Sequence, residues 1–237
     1  MASNSTPSYS QIRTLLQPGD VILFMSDGSI VDLGIGILDS MKGDLPYTHC
    51  GIIYRFPESD PNDTPLIWQA APPPIPNLTQ GGEVYGPDYI KQIPCDGCQL
   101  VSLDVMIPWC AEQTVANYSF AYRSIQSISN PSQGLSTDLL TNLENFIRFT
   151  AGRSFSYPPE DGMGIDYADG SIRHKQSGNN TYFCSKLASD TYKNIGLLSS
   201  DVITNSILPG DFAGDSLTIQ NNYQFGPLTY FTADPTN

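Results

Sequence analysis

The sequence predicts an α+β fold. Short apolar strand-like runs crowd the first 105 residues, amphipathic helical stripes follow in the second half, and one of those helices opens on a cysteine, Cys184. With 237 residues, 40% of them hydrophobic and 11% aromatic, the chain can bury one sizeable core or two small ones. No internal repeat and no separating linker is visible. A single domain over 1–237 is expected, carrying a Pro- and Gly-rich loop insertion at about 72–98.

The elements follow in order. Gln17-Pro18-Gly19-Asp20 is a turn, and 21–24 is a short apolar strand after it. Apolar residues at 30, 33, 37, 38 and 41 recur near the helical period and predict a helix over 30–41, despite Gly34 and Gly36. A strand over 48–55 comes next, then a polar turn around 60–65 and a strand over 66–70. Residues 72–98, led by Pro72-Pro73-Pro74, read as a long surface excursion with one short strand near 83–85. Loops of that length often act as lids or binding surfaces. A strand is expected over 99–105.

Two helical stripes come after it. Ala111, Thr114, Val115, Tyr118, Tyr122 and Ile125 form the first; Leu139, Leu140, Leu143, Phe146, Ile147 and Thr150 form the second. Ser136 or Thr137 suits the second as a cap, and Gly152 as a stop. Residues 153–178 read mostly as loop. A last helix runs from Cys184 to about Ile195 and ends at Gly196, and the tail holds one short strand near 228–231.

Eleven basic residues against 24 acidic ones give a formal net charge of −13, which repels nucleic acid and anionic membrane. No stretch reaches the roughly 18 apolar residues that span a bilayer, and the polar start Met-Ala-Ser-Asn-Ser-Thr-Pro-Ser lacks the apolar core of a secretory signal. A soluble, cytoplasmic protein is the expectation, with no membrane insertion and no nucleic-acid partner. Five cysteines are an odd and sparse set for a disulfide scaffold. Cys95-Asp96-Gly97-Cys98 has the spacing of half a zinc site or a redox pair, but no second such pair follows and the histidines number two. A loop turn is the default for that motif, and no cofactor or metal is expected.

The candidate site joins distant segments. On the strand over 48–55, His49, Gly51 and Ile53 share one face, so the glycine leaves a gap beside the imidazole that a nucleophile or a substrate carbonyl could fill. Cys184 lies on a stripe with Leu187, Ala188, Thr191 and Ile195 and faces inward at the first helical turn. The unpaired amides there favour an anion, whether a thiolate or an oxyanion on a substrate. Each residue alone has a plainer reading, as a core histidine and a buried thiol. Gln69, a polar residue in an apolar strand, is placed to accept from the imidazole and fix its tautomer. Asp20 and Asp44 are alternative orienting groups.

The segments Leu16-Gln17-Pro18-Gly19-Asp20-Val21-Ile22-Leu23-Phe24, Thr48-His49-Cys50-Gly51-Ile52-Ile53, Ile67-Trp68-Gln69-Ala70, Gly152-Arg153-Ser154-Phe155-Ser156-Tyr157, Tyr182-Phe183-Cys184-Ser185-Lys186-Leu187 and Leu208-Pro209-Gly210-Asp211-Phe212 resemble, in that order, the motifs of the YiiX-like branch of the NlpC-type papain-fold cysteine hydrolases. Its homologues occur in bacteria and large DNA viruses. The resemblance spans roughly 15–215 and implies a circularly permuted papain-like fold, with an antiparallel sheet packed against the helix bearing Cys184. It further implies Cys184 as nucleophile, His49 as general base and Gln69 as the polar third member, acting on an amide or ester of a peptide or acyl substrate. Two positions depart from the family: glutamate is usual where Gln69 stands, and Lys186 replaces the glutamate after Cys-Ser. Those departures and the loop at 72–98, a possible contact for a protein partner, leave a structural or assembly role open, for example in a large virus particle.

Overall fold

The structure, a computed structural model, describes residues 6–26, 47–56, 63–71, 97–112, 118–156, 163–166, 171–174 and 181–235. In chain order its elements are α1 (Tyr9–Ile12), β1 (Val21–Ser26), β2 (His49–Tyr54), β3 (Leu66–Ala71), β4 (Gly97–Ser102) and α2 (Leu103–Ala111). There follow β5 (Tyr118–Arg123), β6 (Ile125–Ser127), α3 (Thr137–Thr150), β7 (Met163–Asp166), β8 (Ser171–His174) and α4 (Cys184–Asn194). A 3-10 turn at Thr204–Ser206, α5 (Pro209–Ala213), β9 (Tyr223–Phe225) and β10 (Thr229–Phe231) complete the chain.

The fold is α+β. Six strands make one antiparallel sheet in the order β10-β5-β1-β2-β3-β4, and β6 with β9 and β7 with β8 form two-stranded ribbons. Helices cover both faces of the large sheet. On one side Val21, Leu23, Ile52, Trp68 and Leu100 pack with Leu143 and Ile147 of α3 and Leu187 and Tyr192 of α4. On the other, Ile22, Phe24, Ile53, Ile67 and Phe120 pack with Ile12 of α1 and Met106 and Ile107 of α2. A strand buried on both faces needs apolar residues at every position, which is why 21–24 is an unbroken apolar run and not an alternating one.

Several sequence expectations change. The strand expected over 99–105 starts earlier, at Gly97, so the last two residues of the expected loop belong to the sheet. It also ends earlier, because the Leu103 amide donates to the Pro65 carbonyl at 2.9 Å and α2 begins. Of the stripe expected as a helix over 111–125, Ala111 ends α2, Tyr118 and Tyr122 lie in a strand, β5, inside the sheet, and Ile125 opens β6, while Thr114 and Val115 lie outside the described residues. Tyr118, Phe120 and Tyr122 alternate on one face, with Ala121 on the other. A spacing of four satisfies a helical face and a strand face alike, and the intervening Phe120 decides for the strand. The stretch read as loop over 153–178 contains the β7–β8 hairpin, and the tail holds α5 and β9 as well as the expected strand near 228–231. The helix expected over 30–41, the strand near 83–85, Asp44 and Cys95 lie outside the described residues, as does all of the 72–98 loop but its last two positions.

The second helix keeps its predicted limits: Ser136 is the cap of α3, accepting from the Leu139 amide, and Gly152 follows with φ of 79°. Two buried arginines lock the elements around the sheet. Arg55 donates to the carbonyls of Leu16 and Arg13, just past α1. Arg123 donates to Phe212, Ala213 and Gly214, where α5 ends, and to Gly226. A cation gathering the orphan carbonyls of a helix end satisfies both their hydrogen bonding and the helix dipole.

Asp20 joins two segments. Its carboxyl oxygens accept from the Gln17 amide at 2.8 Å and the Ile125 amide at 2.9 Å, so it is a fastening between the turn and β6, and it does not orient His49. Burial pushes this carboxyl up from 3.8 to about 7, against the lowering pull of those amides and of Arg55. A carboxyl raised on folding stabilises the folded chain while protonated. That contribution fades as pH climbs from about 4 to about 7, by up to about 1.4 kcal/mol per pH unit. Asparagine does not titrate. In urea titrations the stability of wild type minus that of Asp20→Asn should therefore fall across this window; a difference that stays level or grows with pH would show that Asp20 is ionised in the folded chain.

Candidate active site

The chain that enters α4 is held to the edge of the sheet before it turns. The Gly152 amide donates to the Cys98 carbonyl at 2.7 Å and the Cys98 amide to the Arg153 carbonyl at 2.8 Å, so 152–153 lie along β4. Gly97 allows the approach: its φ is 82°, and a Cβ there would stand 2.0 Å from the Arg153 carbonyl oxygen. The Ser156 amide then donates to Tyr182, and the Tyr182 amide to Ser154, which brings the strand-like residues before Cys184 against 154–156.

Helix α4 is buried nearly all round. The expected stripe of Cys184, Leu187, Ala188 and Thr191 is buried, and so are Ser185, Lys186 and Ser189. Each of the small polar residues has its own acceptor. Ser185 donates to Ile207, Ser189 to Ser185 and Thr191 to Leu187, while Trp68 of β3 donates to Thr191 at 3.2 Å. Such satisfied hydroxyls allow a helix with a modest apolar stripe to sit inside a core. Asp211 caps the neighbouring α5 by accepting from the Leu208 amide, which fixes the segment that receives Ser185.

Cys184 is the first residue of α4. The preceding Phe183 offers no side-chain acceptor, and the first turn has no acidic residue of its own. His49 opens β2 and is half-buried, its ring 5.4 Å from that of Phe24, its neighbour in the β1–β2 ladder. His49 Nε2 lies 2.6 Å from Gln69 Oε1. An amide oxygen only accepts, so Nε2 carries hydrogen and Nδ1 is left for the Cys184 sulfur.

The thiol of Cys184 is held well below the ordinary thiol range. The strongest cause is a hydrogen bond with the Cys50 side chain; burial opposes it, and the positive charge of His49, a hydrogen bond with His49 and one with the Cys50 backbone add to it. Successive residues of a strand face opposite sides. A sulfur bonded to both His49 and Cys50 therefore lies at the end of β2 and not over its face.

The structure thus brings Cys184, His49 and Gln69 together. It corrects one detail: the space beside Gly51 is no substrate gap, since a Cβ there would meet Ile67 at 2.5 Å and the Trp68 carbonyl at 2.8 Å. Gly51 is needed because β3 packs that closely. Lys186 sends its ammonium to the Thr181 carbonyl at 2.7 Å and over the Tyr182 ring at 5.2 Å. Sequence reasoning missed two residues. Cys50 was hidden because alternation assigns it to the face away from His49, and Phe24 reads only as core. Among the described residues no group of three or more His, Cys, Asp or Glu side chains is placed to hold a metal ion, and no helix is long and apolar enough to cross a membrane. In comparisons with known proteins, no family model and no curated sequence matches the chain.

Gln69 is fully buried, and its Nε2 has no acceptor among the described residues, so its amide is held chiefly by His49. Gln69→Ala should slow the capture of Cys184 by iodoacetamide about tenfold or more relative to Cys110, and Gln69→Glu should preserve it. Folded variants that both react at the wild-type rate would make Gln69 a packing residue.

Proposed function

We propose that the chain is a thiol hydrolase of circularly permuted papain-like fold, cleaving an amide or ester bond through an acyl group carried on Cys184. The observation that carries this reading is the continuous line from a sulfur at a helix N-terminus, through the imidazole of His49, to the amide oxygen of Gln69. The antiparallel sheet with α4 packed on it, and the histidine strand preceding the cysteine helix in sequence, agree with the six motifs that resemble the YiiX-like branch.

In the proposed reaction the Cys184 thiolate attacks the acyl carbonyl, and backbone amides at the start of α4 receive the oxyanion. His49 then gives its Nδ1 proton to the leaving amine or alcohol. In the second half it takes a proton from water, which attacks the thioester and releases the acid. Gln69 holds the ring in the tautomer both halves require. Its neutral amide supports imidazolium less than a carboxylate would, so Gln69→Glu is the substitution expected to leave turnover intact or raise it. The substrate is a peptide, a lipid ester or an isopeptide, and the net charge of −13 turns the surface away from nucleic acid.

One observation favours a second reading, a structural or assembly role: Cys184 is only 3% exposed, which leaves little surface for a substrate to reach the sulfur. Hydrolysis of a p-nitrophenyl ester or a generic thioester separates the two. The enzyme reading expects turnover that falls by about 10³ or more in Cys184→Ala and in His49→Ala. An inert protein, or one whose slow hydrolysis is unchanged by Cys184→Ala, would favour the assembly role.

A further inference from the structure

The imidazole of His49 starts on the face of the sheet opposite to the helix it serves. Directly opposed residues of neighbouring strands share a face. His49 stands opposite Phe24 in the β1–β2 ladder, and Phe24 belongs to the cluster covered by α1 and α2. Cys184 packs in the cluster on the reverse face. To act on the sulfur, the ring must be aimed past the end of β2, and its support comes from the face on which it starts.

The hydrogen bond to Gln69 supplies part of that support. It fixes one atom of the ring, Nε2, at 2.6 Å from the amide oxygen. Torsion about the bond to a planar ring is soft, so a ring held at one atom still turns about it, and Nδ1 swings with the turn. The Phe24 ring removes that freedom. Its centroid lies 5.4 Å from that of the imidazole, with the two planes inclined at 58°, within the tilted range that aromatic pairs favour. We propose that Phe24 is a positioning residue of the site: pressed against the imidazole from β1 while Gln69 holds Nε2 from β3, it fixes the ring plane that aims Nδ1 at Cys184. The inference rests on His49 being the base in the reading above.

A positioning wall must itself be fixed, and Phe24 is. It is only 1% exposed. Phe120 meets it edge-on at 5.6 Å and 81°, and Phe120 is in turn stacked on Phe231 of β10 at 5.3 Å and 21°. The backbone is pinned beside it as well, since the Thr48 amide donates to the Phe24 carbonyl at 2.9 Å, one residue before His49. Leucine would fill much of the same apolar space, but it has no flat face to lay against a ring.

That difference is the basis of the test, which compares Phe24→Leu with Phe24→Tyr, the variant that keeps the ring. Cys110 lies in the same core cluster as Phe24, so it reports any loosening of that core, whereas Cys184 reports the imidazole. In Phe24→Leu, iodoacetamide should capture Cys184 about tenfold or more slowly, with Cys110 unchanged. Hydrolysis of a p-nitrophenyl ester should lose kcat at constant KM, and Phe24→Tyr should restore both. Faster capture of Cys110 with Cys184 unaffected would make Phe24 a packing residue and overturn the proposal. Wild-type protein gives a second measurement if the variants do not fold: nuclear Overhauser contacts between the ring protons of His49 and Phe24. These are expected, and their absence would overturn the inference. A protein whose Cys184 capture falls in Phe24→Leu, but which cleaves no ester, would retain this inference and refute the hydrolase. One whose ester cleavage depends on Cys184 and His49 yet is unchanged in Phe24→Leu would do the reverse.

Discussion

The contact on which the site depends is the docking of the Cys184 sulfur at the end of β2. Burial alone would raise a thiol and keep it neutral; here hydrogen bonds from the Cys50 side chain and backbone and from His49, with the histidine's charge, outweigh it and lower the thiol instead. The balance is local but has a structural requirement. The first turn of α4 must sit at the beginning of the strand, within reach of two residues that face opposite ways. The pairing of 152–156 with β4 and with 182, the close approach allowed by Gly97, and the fastening of Ser185 to Ile207 all serve to hold that turn in place.

The same geometry explains why the core is built as it is. A helix that brings a polar end into a protein interior brings its backbone and small hydroxyls with it, and α4 satisfies them internally. Its apolar stripe faces Trp68, Ile52 and Leu23 of the sheet, while α1 and α2 cover the reverse face. With both faces covered, the central strands have no solvated side. His49, as the first residue of β2, is the place where a polar ring can be half in and half out of the core.

Much of this was legible in the sequence, and the parts that were not have physical reasons. The strands at 21–24, 48–55 and 66–70 announce themselves as apolar runs between turn residues. The helix after Ser136 and the one after Phe183 carry clean stripes with a glycine just past the end. The grouping of His49, Gln69 and Cys184 was legible because a histidine on a strand, a glutamine in an apolar strand and a cysteine at a helix start are each unusual residues for their settings. The strand β5 was not, since Tyr118 and Tyr122 fit a helix as well as a strand until Phe120 is paired with Phe24 and Phe231. Cys50 was hidden by strand alternation, which holds along a strand but not for a group docked at its end. Asp20 was read as a turn residue with a possible second use; its contacts with Gln17 and Ile125 place it in the turn.

The proposal stands or falls on the ionisation of Cys184. The most direct measurement is the ultraviolet thiolate absorbance of the native protein as a function of pH, taken as the difference between wild type and Cys184→Ser. A thiolate held by Cys50 and His49 predicts a difference spectrum already present at mildly acidic pH and lost only on further acidification. A difference that emerges only near pH ~8.5, as for a free thiol, would contradict it.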